Sequence, residues 1–149
     1  MRFTALPEVT AALVAGFAAA LDGVDVGDEI SPSGTYTSGD ALIIGFGDDT
    51  NPVARSTREA LPGSGTGVTE TLAINCALFS ASTDGTAAAR RAALADFLAV
   101  VDEVVRSDRT LGGLVDDLFL APSIEFFIGD GPSGDAAYAQ FALIAETYL

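Results

Sequence analysis

Near the start of the chain, apolar residues recur every four positions. Val9, Leu13, Phe17 and Leu21 form one stripe, which predicts a helix over residues 7–22. Thr4 or Leu6 leads into Pro7, which suits a first helical turn, and Glu8 lies near the positive end of the helix dipole. Gly23 is the stop signal. Val24 and Val26 then alternate with Asp25, as at the start of a short strand, and residues 27–40 are too rich in Gly, Ser, Thr and Asp for regular structure. Residues 41–46 are a continuous apolar run bounded by Gly39-Asp40 and Gly47-Asp48-Asp49, which reads as a buried strand. Residues 48–68 contain Pro52, Pro62, Gly63, Gly65 and Gly67, and are expected to be a long irregular loop.

Residues 68–80 alternate cleanly. Leu72, Ile74, Cys76 and Leu78 share one face of a long strand, and Thr71, Ala73, Asn75 and Ala77 share the other. A second helix is predicted over residues 86–107, capped by Asp84 or Ser82. Leu94, Leu98, Val101 and Val105 form its central stripe, widened by Phe97, Val100 and Val104. Arg90, Arg91, Asp96, Asp102, Glu103 and Arg106 fall largely on the opposite side, as expected for a helix laid on a sheet. Gly112-Gly113 forces a turn, and residues 118–128 give a strand or strand pair around Pro122. Residues 129–135 are a turn, and residues 136–149 alternate as a closing strand with Phe141, Leu143 and Ala145 inward. This order predicts one α+β domain over residues 1–149. It is a two-layer sandwich, with a mainly antiparallel or mixed sheet covered by two principal helices.

Composition narrows the chemistry. The 149 residues include no His, no Lys and one Cys, Cys76, with a formal charge of −14. An apolar content of 49% is too high for an intrinsically disordered chain. No apolar run is long enough for a membrane span, and residues 11–21 read as a core helix segment, not a signal peptide. A surface this acidic repels nucleic acid and makes packing many copies together costly unless the arginines are placed at contacts.

Zinc is excluded as a resident metal by the missing His and lone Cys. Acidic groups cluster at Asp28-Glu29, Asp48-Asp49, Asp116-Asp117 and Asp130 with Asp135, but none has EF-hand spacing, so they read as solvated turn residues. Residues 63–67 are glycine-rich yet precede a strand, and no lysine completes a phosphate loop. Serine nucleophiles lack a base, and Ser133 sits in a turn. Paired carboxylates arise by chance among 21 acids, so they carry little weight. The expectation is no enzyme, no cofactor and no metal. A glycan- or peptide-binding module has few stacking rings to offer, because Phe17, Phe46, Phe97 and Phe141 occupy core-like positions.

Four segments occur in a recognisable order. They are the opening amphipathic helix with Asp22-Gly23-Val24; Asp40-Ala41-Leu42-Ile43-Ile44-Gly45-Phe46; Glu70-Thr71-Leu72-Ala73-Ile74-Asn75-Cys76; and Asp108-Arg109-Thr110-Leu111-Gly112-Gly113-Leu114-Val115. In this pattern the chain resembles the tail terminator proteins of long-tailed bacteriophages, particularly those infecting actinobacteria. Asp108, Thr110, Leu111, Gly112 and Gly113 are its most specific part. The resemblance implies a homohexameric ring in the virion, assembled in the host cytoplasm on the head-proximal end of the tail tube. The ring would halt tube polymerisation and present its other face to a head or neck connector protein. Its partners would be copies of itself, the tail tube protein and the connector, with no membrane; genomic DNA would pass through the bore without specific binding. Arg55, Arg58, Asp48 and Asp49 are the expected subunit or tube contacts. A head-completion or other neck subunit, and a small soluble ligand-binding module, are the alternatives.

Overall fold

The computed structural model describes residues 3–28, 40–47, 50–63, 65, 67–80, 87–128 and 137–149. Expectations for Glu29, Asp48, Asp49, Ser82, Asp84 and the turn at residues 129–135, and for most of residues 27–40, lie outside them.

Among the described residues, two helices cover one face of a seven-stranded mixed sheet, the α+β architecture anticipated from the periodicities. Helix α1 spans Leu6–Ala20 and buries Val9, Leu13 and Phe17, the predicted stripe. Helix α2 spans Ala87–Ser107 and buries Leu94, Leu98, Val101 and Val105. Burying side chains of this size stabilises the fold by about 1.5–3 kcal/mol each. One assignment fails: Arg90 is only 1% exposed and lies one helical turn before Leu94, on the sheet-facing stripe rather than the solvent side.

The strands are β1 (Asp25–Gly27), β2 (Ala41–Ile44), β3 (Ala54–Ala60), β4 (Val68–Ser80), β5 (Asp117–Leu120), β6 (Glu125–Ile128) and β7 (Ala137–Tyr148). The sheet is built around β4 and β7, which pair antiparallel from Thr69↔Tyr148 to Ser80↔Ala137. β1 runs parallel to β2, the one parallel pair in the sheet as described. β2 and β3 share the outer edge of β4 end to end, and β5 and β6 share the outer edge of β7. Pro122 separates β5 from β6, so the segment expected as a strand or strand pair is a pair.

Residues 48–68 are not an irregular loop. They contain β3, which pairs antiparallel with β4 from Ala54↔Ile74 to Ala60↔Val68. The sequence Ala-Arg-Ser-Thr-Arg-Glu-Ala shows no apolar alternation because β3 is an edge strand whose last six residues are exposed. Gly47 shapes the approach to it: a Cβ there would lie 2.7 Å from both the Asn51 carbonyl oxygen and the Val53 nitrogen.

Candidate assembly surface

The register aligns four strands level with one another. Ser56, Leu72, Ala145 and Leu118 form one row across β3, β4, β7 and β5, and Arg55, Ala73, Ile144 and Phe119 form the next. On β3, Ser56 and Arg58 share the helix-covered face with their partners Leu72 and Glu70. Arg55 and Thr57 project to the opposite face. The two expected contact arginines therefore share a strand but not a face. Both are exposed. Arg58 lies over the Phe3 ring, 4.3 Å from its centroid, and Phe3 itself is 73% exposed.

The inner side of this edge is fixed by a residue the periodicity argument left out. Glu70 is fully buried on the same face of β4 as Leu72 and Ile74. Its carboxylate accepts hydrogen bonds from the Ala5 backbone N–H (2.8 Å), the Thr4 hydroxyl (2.6 Å) and the Ser56 hydroxyl. No side chain of its own caps α1 at Ala5. The Ala5 N–H is capped from β4 across the fold, the Thr4 hydroxyl accepts from the Leu6 N–H (3.2 Å), and Ser56 ties β3 to the same carboxylate. Burial pushes the Glu70 carboxyl up, but the bonds from Ala5, Ser56 and Thr4 and the Arg58 charge outweigh it, holding the group below its usual value. A signal was present in the sequence, since a lone charge on an otherwise apolar strand face needs a dedicated set of partners.

The segment at residues 108–113 is a built turn. Asp108 accepts hydrogen bonds from the Gly112 N–H (2.9 Å) and the Thr110 hydroxyl (3.2 Å), and Thr110 accepts one from the Gly113 N–H (3.2 Å). Leu111, Gly112 and Gly113 are all left-handed, with φ of 49°, 68° and 90°, which explains the glycines and leaves Leu111 strained. Arg109 holds Asp117 at the start of β5 through two bonds of 2.8 Å. That pair is exposed and contributes at most about 1 kcal/mol. The turn places an acidic pair, Asp116 and Asp117, where β5 begins.

The sheet face opposite the helices carries a row of rings. Phe127 stacks on Tyr138 (4.7 Å between centroids), Tyr138 stacks on Phe79 (5.2 Å), and Phe46 meets Phe79 edge-on (5.8 Å). Phe46, assigned to the core by sequence, belongs to this second face. A groove of about 520 Å³ beside the row is lined by Asn51, Asn75, Glu125, Phe127 and Gln140. Asn75 is already committed, donating to the Pro52 carbonyl at 2.7 Å.

Among the described residues, no group of three or more His, Cys, Asp or Glu could hold a metal ion, and no helix is long and apolar enough to cross a membrane. Neither the protein-family models nor the curated proteins contain a match to this chain.

Proposed function

We propose that this chain is a structural subunit of a bacteriophage tail, a terminator that caps the head-proximal end of the tail tube as a ring. The observation that carries the reading is β3. It is a seven-residue edge strand, exposed along nearly its whole length, with two arginines of an otherwise acidic chain. A strand like this presents unpaired backbone groups and is a ready surface for another chain. The likeness to terminators in the segments around α1, β2, β4 and the Asp108–Gly113 turn supplies the identity of the assembly. A capping ring needs one face that matches the last ring of the tube and another that does not accept a further tube subunit. The acidic surface would let DNA pass without adhering.

Particles assembled without this chain test the role. Overlong tubes are the expected result. Tubes of normal length that fail to join heads would instead make it a neck subunit. The groove beside Tyr138 favours one rival, a small-ligand module. A monomer that ignores tail tubes and saturates with a small ligand, losing it on Gln140→Ala, would establish that rival.

A further inference from the structure

We propose that the groove on the sheet face opposite the helices is a binding site for a neutral sugar. This goes beyond the ring reading and does not depend on it, because one copy supplies every residue that lines the groove.

The groove arises where the sheet is broken on both sides. β2 ends at Ile44↔Cys76 and β3 begins at Ala54↔Ile74, so the first break lies beside Asn75. β5 ends at Leu120↔Leu143 and β6 begins at Glu125↔Gln140, so the second lies beside Phe141 and Ala142. Asn75 and Ala142 are partners in the β4–β7 ladder, and the two breaks therefore face each other. Phe46, Gly47 and Asn51 wall one side, and Ser123, Glu125 and Phe127 wall the other. The flanking strands stand three strand spacings apart, about 14 Å, which leaves room for a sugar ring between them. Ala142, with a single methyl group, keeps the floor low.

Asn75 fixes the first wall. Its carbonyl accepts from the Gly45 N–H (2.8 Å) and the Phe46 N–H (2.6 Å), and its own N–H donates to the Val53 carbonyl (3.0 Å). Its side-chain amide donates to the Pro52 carbonyl, which leaves Oδ1 as an acceptor. A wall held at both ends in this way loses little freedom when a ligand binds.

The side chains present set the ligand class. Gln140 and Glu125 are cross-strand partners, with Cβ atoms about 5 Å apart. Gln140 offers donors and an acceptor, Glu125 acceptors, and Ser123 a hydroxyl that does both. Adjacent hydroxyls of a sugar donate and accept together, which matches this mixed set. No arginine lines the groove, and the chain has no Lys or His, so nothing there neutralises a phosphate or carboxylate. Glu125 is the one charged residue lining it and is exposed, a weak anchor for an organic cation. Phe46 and Phe127 supply apolar contact for the C–H face of a sugar. A glycan site lacks rings only if Phe46 is core, and Phe46 lines the groove.

The experiment titrates the full chain with glucose, galactose, mannose, rhamnose and N-acetylglucosamine, following backbone and side-chain amides by NMR. Arginine methyl ester and glucose 6-phosphate are the charged controls. A neutral sugar should saturate and shift the Asn75 and Gln140 side-chain amides. Gln140→Ala and Phe127→Ala should each weaken it about tenfold. Glu125→Gln keeps a hydrogen-bonding group and should change it by less than about threefold. Ala142→Leu fills the floor and should abolish binding, whereas Tyr148→Ala, on the same face outside the groove, should leave it unchanged. If Ala142→Leu fails to fold, the exposed Phe127→Ala carries the test. Saturation by none of these sugars overturns the proposal. So does tighter binding of either charged control, or sugar binding that survives both Gln140→Ala and Phe127→Ala. A chain that caps tubes but binds no sugar overturns this proposal alone. One that binds sugar while tubes stay overlong in its presence overturns the ring reading alone.

Discussion

Glu70 links three parts of the molecule that are distant in sequence: the entry to α1, the edge strand β3 and the central strand β4. Its folded-state carboxyl lies below the ordinary value, so its contribution is present above the unfolded pKa of about 4.3 and is lost as pH falls through the folded one. Glu70→Gln keeps the shape but replaces one acceptor oxygen by a donor, so the Ala5 N–H or a hydroxyl loses its partner. The expected cost at neutral pH is about 1–3 kcal/mol. In thermal melts across pH, the gap between wild type and variant should narrow once the solution is more acidic than the ordinary carboxylate range. A gap that stays constant into acid would show that the carboxylate charge is not what holds the site.

At the level of elements, the Asp108–Gly113 turn fixes where α2 ends and where β5 starts. Asp108→Ala removes the acceptor for Gly112 N–H and should cost about 1 kcal/mol in urea unfolding, with Asp108→Asn costing less. Equal, negligible losses would mean that the glycines alone set the turn. Elements that bury one stripe were legible from residue order: α1, α2, β4 and β7 declare themselves by period, because burial forces it. β3 did not, because an edge strand exposed to water has no apolar face to betray it, and Pro52, Pro62 and the glycines around it mark only its ends. The burial of Arg90 and the helix cap from Glu70 were hidden for a related reason. Each depends on what packs opposite, which local periodicity does not encode. The aromatic row was obscured because Phe46 and Phe79 meet across strands far apart in sequence.

For the whole molecule, a charge of −14 on each copy opposes association. In a ring that repulsion would sum over every copy, whereas backbone pairing along an exposed edge such as β3 is short-ranged. Moderate salt screens the long-range part within about 10 Å and leaves short backbone pairing intact. Assembly followed by light scattering should therefore strengthen as salt rises from low ionic strength; steady weakening would place ion pairs, not strand pairing, at the contact. Binding to DNA should be absent at the same salt concentrations.

The central claim is that copies of this chain close into a ring that ends a tube. Polymerising the tail tube protein with and without this chain, and imaging the products with the chain labelled, tests it most directly. The account predicts shorter tubes with a single labelled ring at one end. Tubes of unchanged length, with label absent or scattered along their walls, would contradict it.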